Sequence, residues 1–139
     1  MTAEVFVDTS ALFATLDRDD ANGTAAVAGM QRLLDPDDPS AGHPVTHGSV
    51  VAETAALVQR RLGMEAVRVV LQGIVPLMEV VWVDEQLHAR TTEAFLAANR
   101  RSVSLVDWTS FLVMRDRAID VAFAFDDDFV AQGFELYTA

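Results

Sequence analysis

The segment VFVDTSALFATL, residues 5–16, passes from a short apolar run through an acid into an apolar stretch with helical spacing. The run at residues 5–7 contains β-branched and aromatic residues, which favour a strand, and residues 10–16 favour a helix. Asp8 stands at the junction. An ionised carboxylate costs several kcal/mol to hold near a dry core, so a strand that ends in one usually ends at a polar site.

The same pattern returns near the other end of the sequence. The apolar residues 121–125 run into Asp126, Asp127 and Asp128 and then into an apolar, helical turn. Between these two segments, strand-like and helix-like stretches alternate, which is typical of parallel βαβ units with helices on both faces of a sheet. Because ligands bind at the carboxyl ends of such strands, we expect Asp8 and Asp126 on one edge.

Hydrophobic periodicity and turn residues predict the individual elements. Strands are expected over residues 4–8, 44–46, 77–83, 121–125 and 134–137. Helices are expected over residues 10–16, 24–34, 49–62, 64–74, 84–99 and 105–117, with a short helix between residues 125 and 134. Gly63 should end one helix and Asp84 should cap another. No linker is visible, so residues 1–139 are predicted to form a single α/β domain.

The composition is that of a globular protein, since 51% of the 139 residues are hydrophobic and 22% are charged. The absence of cysteine excludes disulfides and thiolate metal sites. No apolar run is long enough to span a membrane and no basic leader precedes the first strand, so we expect a soluble, cytoplasmic protein. All 10 basic residues are arginine, which excludes chemistry that requires a lysine ammonium.

Two further acids, Glu53 and Asp107, share predicted helix faces with apolar residues. Carboxylates that converge from four elements repel one another and acquire raised pKa values unless cations neutralise them. Hard oxygen ligands select Mg²⁺ or Mn²⁺, so the sequence predicts one or two such ions. Taken singly, Asp8 can instead be a helix N-cap, and Glu53 or Asp107 a solvated acid at the core edge. Asp127 is best explained by the dipole of the helix that follows it.

The segments that carry these acids resemble, in order and spacing, the motifs of PIN domains, and are most similar to the VapC-type toxins of bacterial toxin–antitoxin pairs. The segments are residues 6–12 (FVDTSAL), 51–54 (VAET), 104–107 (SLVD) and 125–129 (FDDDF), followed by Gly133 and Phe134. The resemblance implies a PIN-like three-layer α/β/α sandwich around a mostly parallel sheet of four or five strands. It also implies a Mg²⁺- or Mn²⁺-dependent ribonuclease, usually a homodimer, which a cognate antitoxin inhibits by occluding the acidic pocket.

Carried over by position, the resemblance makes four acids both catalytic and metal-binding: Asp8, Glu53, Asp107 and Asp126. Ser10, or alternatively Thr9, would supply a hydroxyl that supports Asp8. The family often has Thr or Ser two residues before the last acid, where this chain has Ala124. Because that change removes a hydroxyl, we expect either lower activity or a share of the role for Asp128.

Contacts with RNA or an antitoxin are assigned to arginines, because a protein with a net charge of −11 does not attract phosphate through its overall charge. The candidates are Arg60, Arg61, Arg100, Arg101, Arg115 and Arg117. Ordinary ion pairing with surface acids is the alternative for each. At this net charge the long-range electrostatic steering of RNA is weak, which predicts a narrow range of substrates. Single-stranded or loop RNA is favoured because its bases are exposed.

The remaining chemically versatile residues receive structural interpretations. His43, His47 and His88 lack metal-ligand spacing and are interpreted as loop or surface residues. Trp82 and Trp108 are interpreted as core or dimer contacts rather than platforms for stacked bases.

Two other functions stay open. A PIN-like binding module without catalysis would be consistent with Ala124. A phosphoacceptor or phosphatase domain also gathers aspartates at strand ends, but such folds normally need a lysine, and here Ser10 interrupts the D-x-D pattern.

Overall fold

The computed structural model describes residues 3–139, which form a single parallel sheet of five strands. The strands are β1 (Glu4–Val7), β2 (His43–His47), β3 (Glu79–Val81), β4 (Val121–Phe123) and β5 (Glu135–Leu136). Their order across the sheet is β3-β2-β1-β4-β5, and every neighbouring pair is parallel. The expected α/β architecture around a parallel sheet is confirmed.

Seven α-helices flank the sheet within the described residues. They are α1 (Thr9–Leu16), α2 (Gly23–Leu33), α3 (Gly48–Leu62), α4 (Met64–Arg68), α5 (Glu85–Ala98), α6 (Leu105–Asp116) and α7 (Asp128–Ala131). A π-helical turn covers Val69–Ile74, and short 3₁₀ turns cover Pro39–Ala41 and Val75–Leu77. Among residues 3–139, no helix is both long and apolar enough to cross a membrane.

The central position of β1 explains its unbroken apolar run. Val5, Phe6 and Val7 are all buried, with exposed fractions of 4%, 0% and 0%, because helices cover both faces of the sheet. Leu12 of α1 is equally buried. Each such side chain contributes about 1.5–3 kcal/mol when it leaves water. This packing fixes the end of β1, and with it Asp8, at the carboxyl edge of the sheet.

Aromatic contacts hold α6 and the segment after β4 against β1. Phe111 of α6 meets the ring of Phe129 edge-on at 5.2 Å and that of Trp108 at 5.3 Å. Phe129 also contacts Phe6, with 6.1 Å between the ring centroids. Aromatic pairs of this kind add about 0.5–1.5 kcal/mol each beyond the area they bury. Three acid-bearing parts of the chain are therefore anchored to one core.

The predicted strand over residues 121–125 is too long. It ends at Phe123, because the backbone N–H of Phe125 donates to the hydroxyl of Ser10 at 3.0 Å instead of to a neighbouring strand. The predicted strand over residues 77–83 shortens to Glu79–Val81, since a 3₁₀ turn forms around Pro76, which has no N–H to donate.

The predicted helix over residues 64–74 begins at the expected place, but it is α-helical only as far as Arg68 and continues as the π-helical turn. The two helix boundaries that were predicted from a particular residue, Gly63 and Asp84, are confirmed. Gly63 ends α3 with a φ of +91°, a backbone conformation that favours glycine. Asp84 caps α5, where its Oδ1 accepts a hydrogen bond from the N–H of Leu87 at 2.8 Å.

Candidate metal and active site

Asp8 lies directly after β1, at the edge where the parallel strands end, and only 4% of the residue is exposed. Its backbone N–H donates to the carbonyl of Phe123 in β4 at 3.0 Å. Its Oδ2 accepts hydrogen bonds from the backbone N–H of Ser10 at 3.1 Å and from the Ser10 hydroxyl at 2.6 Å. The carboxylate therefore caps α1, as the alternative interpretation expected, and is also held in place beside the end of β4.

The Ser10 hydroxyl links the ends of β1 and β4. It donates to Asp8 and accepts from the N–H of Phe125 at 3.0 Å. Thr9 contacts α3 instead, where its Oγ1 accepts a hydrogen bond from the hydroxyl of Thr54 at 3.2 Å. Of the two hydroxyls considered as support for Asp8, Ser10 makes that hydrogen bond and Thr9 bonds elsewhere.

Asp107, Asp126 and Asp128 each bring one carboxylate oxygen to within 4.8 Å of the other two. Asp107 stands in the first turn of α6 and forms a capping box with Ser104, in which each backbone N–H donates to the other side chain at 3.0 Å. Asp126 follows β4, and its Oδ1 accepts from the N–H of Asp128 at 2.9 Å. Two distant parts of the sequence thus supply three convergent acids.

Burial raises the pKa of the Asp8 carboxyl to about 6, although the hydrogen bonds from Ser10 lower it. The charges of Asp107 and Glu53 raise the pKa of Asp8 further, so both acids act on the same edge. Glu53, on α3, is exposed, and both Glu53 and Asp8 lie outside the group of three convergent oxygens, which contains only Asp107 and Asp126 of the four predicted acids. The site therefore has a buried member, Asp8, and a peripheral one, Glu53.

Burial also raises the pKa of Asp107 and of Asp128. In Asp107, hydrogen bonds with Ser104 oppose the rise and the charge of Asp126 adds to it. In Asp128, a hydrogen bond and the charge of Asp126 add to the rise, while the guanidinium of Arg100 opposes it. Repulsion between carboxylates is therefore a property of this cluster.

The clustered acids have no ion-pair partner among the described residues. None of the ion pairs within residues 3–139 involves this set, which we call the acid edge: Asp8, Glu53, Asp107, Asp126 and Asp128. A second group, Glu4, His43 and Glu79, shows the contrast. There Arg117 pairs with both glutamates, at 2.6 Å from its Nη2 to Oε2 of Glu79. Hard carboxylate oxygens without a paired cation are suitable ligands for Mg²⁺ or Mn²⁺.

The predicted arginine contacts fall into different environments. Arg117 forms ordinary ion pairs with the two glutamates just described, and Arg115 donates to Oε1 of Gln132 at 2.7 Å. Arg100 is the candidate whose charge reaches the acid edge, through Asp128. The remaining candidates are exposed: Arg60, Arg61 and Arg101.

The prediction that His47 is a loop or surface residue is wrong. The residue ends β2 and is fully buried, with its Nδ1 accepting from the N–H of Val50 at 3.3 Å and its Nε2 lying 2.9 Å from the hydroxyl of Ser110. Its place between a strand and the start of a helix was a signal for a capping role. His43 and His88 are exposed, as predicted.

The two tryptophans also differ from each other. Trp108 is half-buried and packs edge-on against Phe111, which confirms a core contact. Trp82 is 72% exposed and does not belong to the core. Its ring lies over Gly48, where a Cβ would come within 2.6 Å of Cε3. A dimer contact by Trp82 stays a prediction.

A parallel sheet with unpaired acids at its carboxyl edge is typical of a metal-dependent or phosphoryl-transfer site. The chain matches the PIN domain family over residues 5–135 and belongs to that family. It is 37% identical over 134 residues to the 23S rRNA-specific endonuclease VapC20 from two strains of Mycobacterium tuberculosis, covering 94% of this chain and 95% of that protein. The expected similarity to VapC-type toxins is confirmed.

Solved structures give the same result. The crystal structure of Mycobacterium tuberculosis VapC20, a Sarcin-Ricin loop cleaving toxin, superimposes with a TM-score of 0.79 and 32% identity, over 94% of this chain and 96% of that one. FitAcB from Neisseria gonorrhoeae superimposes with a TM-score of 0.66 and 16% identity, over 96% of each chain. At that identity the second likeness concerns the fold alone.

Proposed function

We propose that this protein is a metal-dependent ribonuclease toxin that hydrolyses phosphodiester bonds in a specific single-stranded or loop RNA. The observation that carries the proposal is the acid edge, where Asp107, Asp126 and Asp128 converge beside buried Asp8 without an ion-pair partner among residues 3–139. Similarity to a 23S rRNA-specific endonuclease supports RNA as the substrate. The loop-cleaving activity of the structural relative supports an exposed loop of ribosomal RNA as its site.

The donor set fits Mg²⁺ or Mn²⁺. Asp107, Asp126 and Asp128 offer hard oxygens within 4.8 Å of one another, and their repulsion is relieved by a divalent cation. We assign one or two ions to these three acids together with Asp8, with Glu53 as a peripheral ligand or catalytic acid. When bound, such an ion supplies a water of lowered pKa and a Lewis acid for the phosphodiester.

The side chains around the acids fix the geometry of the site. Asp8 is ionised at neutral pH, because burial raises its pKa only to about 6. Ser10 orients this carboxylate and at the same time holds the backbone of Phe125, the residue before Asp126. One hydroxyl therefore fixes the relative placement of two proposed metal ligands. Ser10 takes the supporting role for which Thr9 was the alternative.

The proposal includes partners that follow from the resemblance to VapC-type toxins. A cognate antitoxin holds the protein inactive by covering the acid edge, and two copies form a homodimer in the cytoplasm. Arg100 is the leading candidate for a contact with an RNA phosphate or with the antitoxin, since its charge already acts on Asp128.

The test is cleavage of a synthetic sarcin–ricin loop hairpin by the purified protein with Mg²⁺ or Mn²⁺, alongside unrelated hairpins and single strands. We expect cleavage that EDTA abolishes and that Asp8→Asn slows by about 100-fold or more. Glu79→Gln is the matched control, because it removes one charge from the arginine-paired group and should cleave like the wild type. Wild-type cleavage by Asp8→Asn would contradict the site. Binding of the hairpin without cleavage in either metal would favour the binding module.

A further inference from the structure

The buried ring of His47 touches three of the elements that carry the acid edge. It ends β2, caps α3 through Val50, and reaches α6 through Ser110. It also lies against Phe6 of β1, with 5.6 Å between the ring centroids. Those elements lead to Glu53 on α3, to Asp107 on α6 and to Asp8 after β1. No part of the ring is exposed.

The hydrogen bonds define the protonation of this ring. Because Nδ1 accepts from the N–H of Val50, the ring proton is on Nε2, which donates to the hydroxyl of Ser110. Ser110 in turn donates to the carbonyl of Val106 at 3.1 Å. Burial lowers the pKa of His47 to about 4, although a hydrogen bond with the backbone of Val106 opposes that shift, so the ring is neutral at physiological pH. Both nitrogens are satisfied, and the chain of bonds runs in one direction from α3 to α6.

The last bond of this chain ends beside the metal site. Val106 directly precedes Asp107, and Ser110 lies three residues after it, on the same face of α6. A helix cap alone needs only an acceptor, which a serine, threonine or aspartate supplies at lower cost in buried volume. Histidine adds a donor on the far side of the ring, and that donor is what reaches α6. A histidine at this position is therefore better explained by a link between α3 and α6 than by the capping of α3 alone.

We propose that His47 is a positioning residue, which acts through Ser110 to hold Asp107 in register with Asp8 and Glu53 for metal binding. The inference rests on the proposed metal site. Groups that orient metal ligands without touching the ion commonly change metal affinity or activity by about 10–100-fold when they are lost.

The experiment measures Mn²⁺ binding to the purified, metal-free protein by calorimetry. In His47→Asn the asparagine keeps an acceptor for Val50 but is too short to reach α6. In Ser110→Ala the cap stays intact and the hydrogen bond through the Ser110 hydroxyl is lost. We expect each variant to raise the Kd for Mn²⁺ by about tenfold or more. The double variant should lose no more than either single variant, because both remove the same link.

The matched control is Thr109→Val. Thr109 is also a buried hydroxyl of α6, 3% exposed, but it donates to the carbonyl of Leu105 within its own helix. We expect this variant to lower the melting temperature while leaving the Kd for Mn²⁺ close to the wild-type value. If His47 had only a structural role, His47→Asn and Ser110→Ala would likewise lower the melting temperature and leave the Kd for Mn²⁺ unchanged.

The outcomes separate this inference from the proposed function. If folded Ser110→Ala binds Mn²⁺ as tightly as the wild type, the proposed positioning of Asp107 by His47 through Ser110 is overturned and the metal site stands. If the wild type binds no Mn²⁺, both fall. Should His47→Asn fail to fold, Ser110→Ala decides, since it removes a single hydroxyl.

Discussion

At Asp8, burial favours the protonated carboxyl, and the pKa in the folded protein, about 6, lies above the ordinary value of 3.8. The metal-free folded protein therefore binds this proton more tightly than the unfolded chain does. The stability contributed by Asp8 is fully present below the ordinary pKa and is lost as the pH rises from about 4 through about 6. At neutral pH the ionised carboxylate destabilises the fold until a cation neutralises it.

Replacement of this carboxylate tests the argument. We expect Asp8→Asn to raise the free energy of unfolding of the metal-free protein by roughly 1–3 kcal/mol at neutral pH. Near pH 4 the gain should shrink, because the wild-type carboxyl is then largely protonated in the folded state. Asparagine keeps an oxygen to accept from Ser10. Urea unfolding in EDTA at the two pH values gives the difference.

Asp116 provides a control in which the change in stability is expected to have the opposite sign. Asp116 pairs with Arg90 at 2.8 Å, and the hydrogen bond to that guanidinium lowers the pKa of its carboxyl. Asp116→Asn should therefore lose stability at neutral pH and lose less near pH 4. If both variants changed stability in the same direction with pH, burial of Asp8 would not be the cause.

Side-chain hydrogen bonds between residues that are close in the sequence were predictable, and those between distant residues were not. Asp8 and Ser10 lie two positions apart, so their pattern is visible in one segment. His47 and Ser110 lie 63 positions apart, and no local pattern records their hydrogen bond. The sequence therefore indicated the acids themselves but not the residue that links the helices behind them.

At the scale of elements, α2 approaches β4 closely at Gly29. A Cβ there would lie 2.7 Å from Cζ of Phe123, whose ring is 2% exposed and packs against Phe125 and Tyr137. Alanine is the better helix former by about 1 kcal/mol. Overpacking of a tight core costs about 1–3 kcal/mol and should outweigh that gain.

We expect Gly29→Ala to lower the free energy of unfolding by about 1 kcal/mol net. Gly73→Ala is the matched control, because Gly73 also lies in a helical segment but has no atom within 4 Å of an added Cβ. It should leave stability unchanged or raise it. Chemical denaturation of both variants makes the comparison, and a stabilised Gly29→Ala would show that Phe123 yields to the new methyl group.

The types and order of the elements followed from hydrophobic periodicity, whereas their ends depended on tertiary contacts. β4 stops at Phe123 because the N–H of Phe125 donates to the hydroxyl of Ser10, which lies 115 positions away in the sequence. The π-helical turn at Val69–Ile74 carries the same apolar side chains as an α-helix would, so periodicity alone does not distinguish the two.

Across the whole molecule, acids at the two edges of the sheet have opposite electrostatic surroundings. Glu4, His43 and Glu79 begin β1, β2 and β3, and Arg117 forms ion pairs with both glutamates there. The acid edge, at the other ends of the strands, has no such pair among residues 3–139. In a chain of net charge −11, the electrostatic attraction for a divalent cation is therefore expected to be strongest at this unpaired cluster.

Thermal melts with Mn²⁺ test that difference on the intact protein. A ligand at about 100 times its Kd stabilises the folded state by about 2.7 kcal/mol, which should raise the melting temperature of a chain of this size by roughly 5–15 °C. Asp126→Asn should lose most of this increment, because it removes a proposed ligand. Glu79→Gln should keep it, whatever its own baseline, since the change lies at the arginine-paired edge. Sodium chloride at matched ionic strength controls for general screening. An equal rise with sodium chloride, or equal losses in the two variants, would mean that Mn²⁺ acts on the overall negative charge and not at the acid edge.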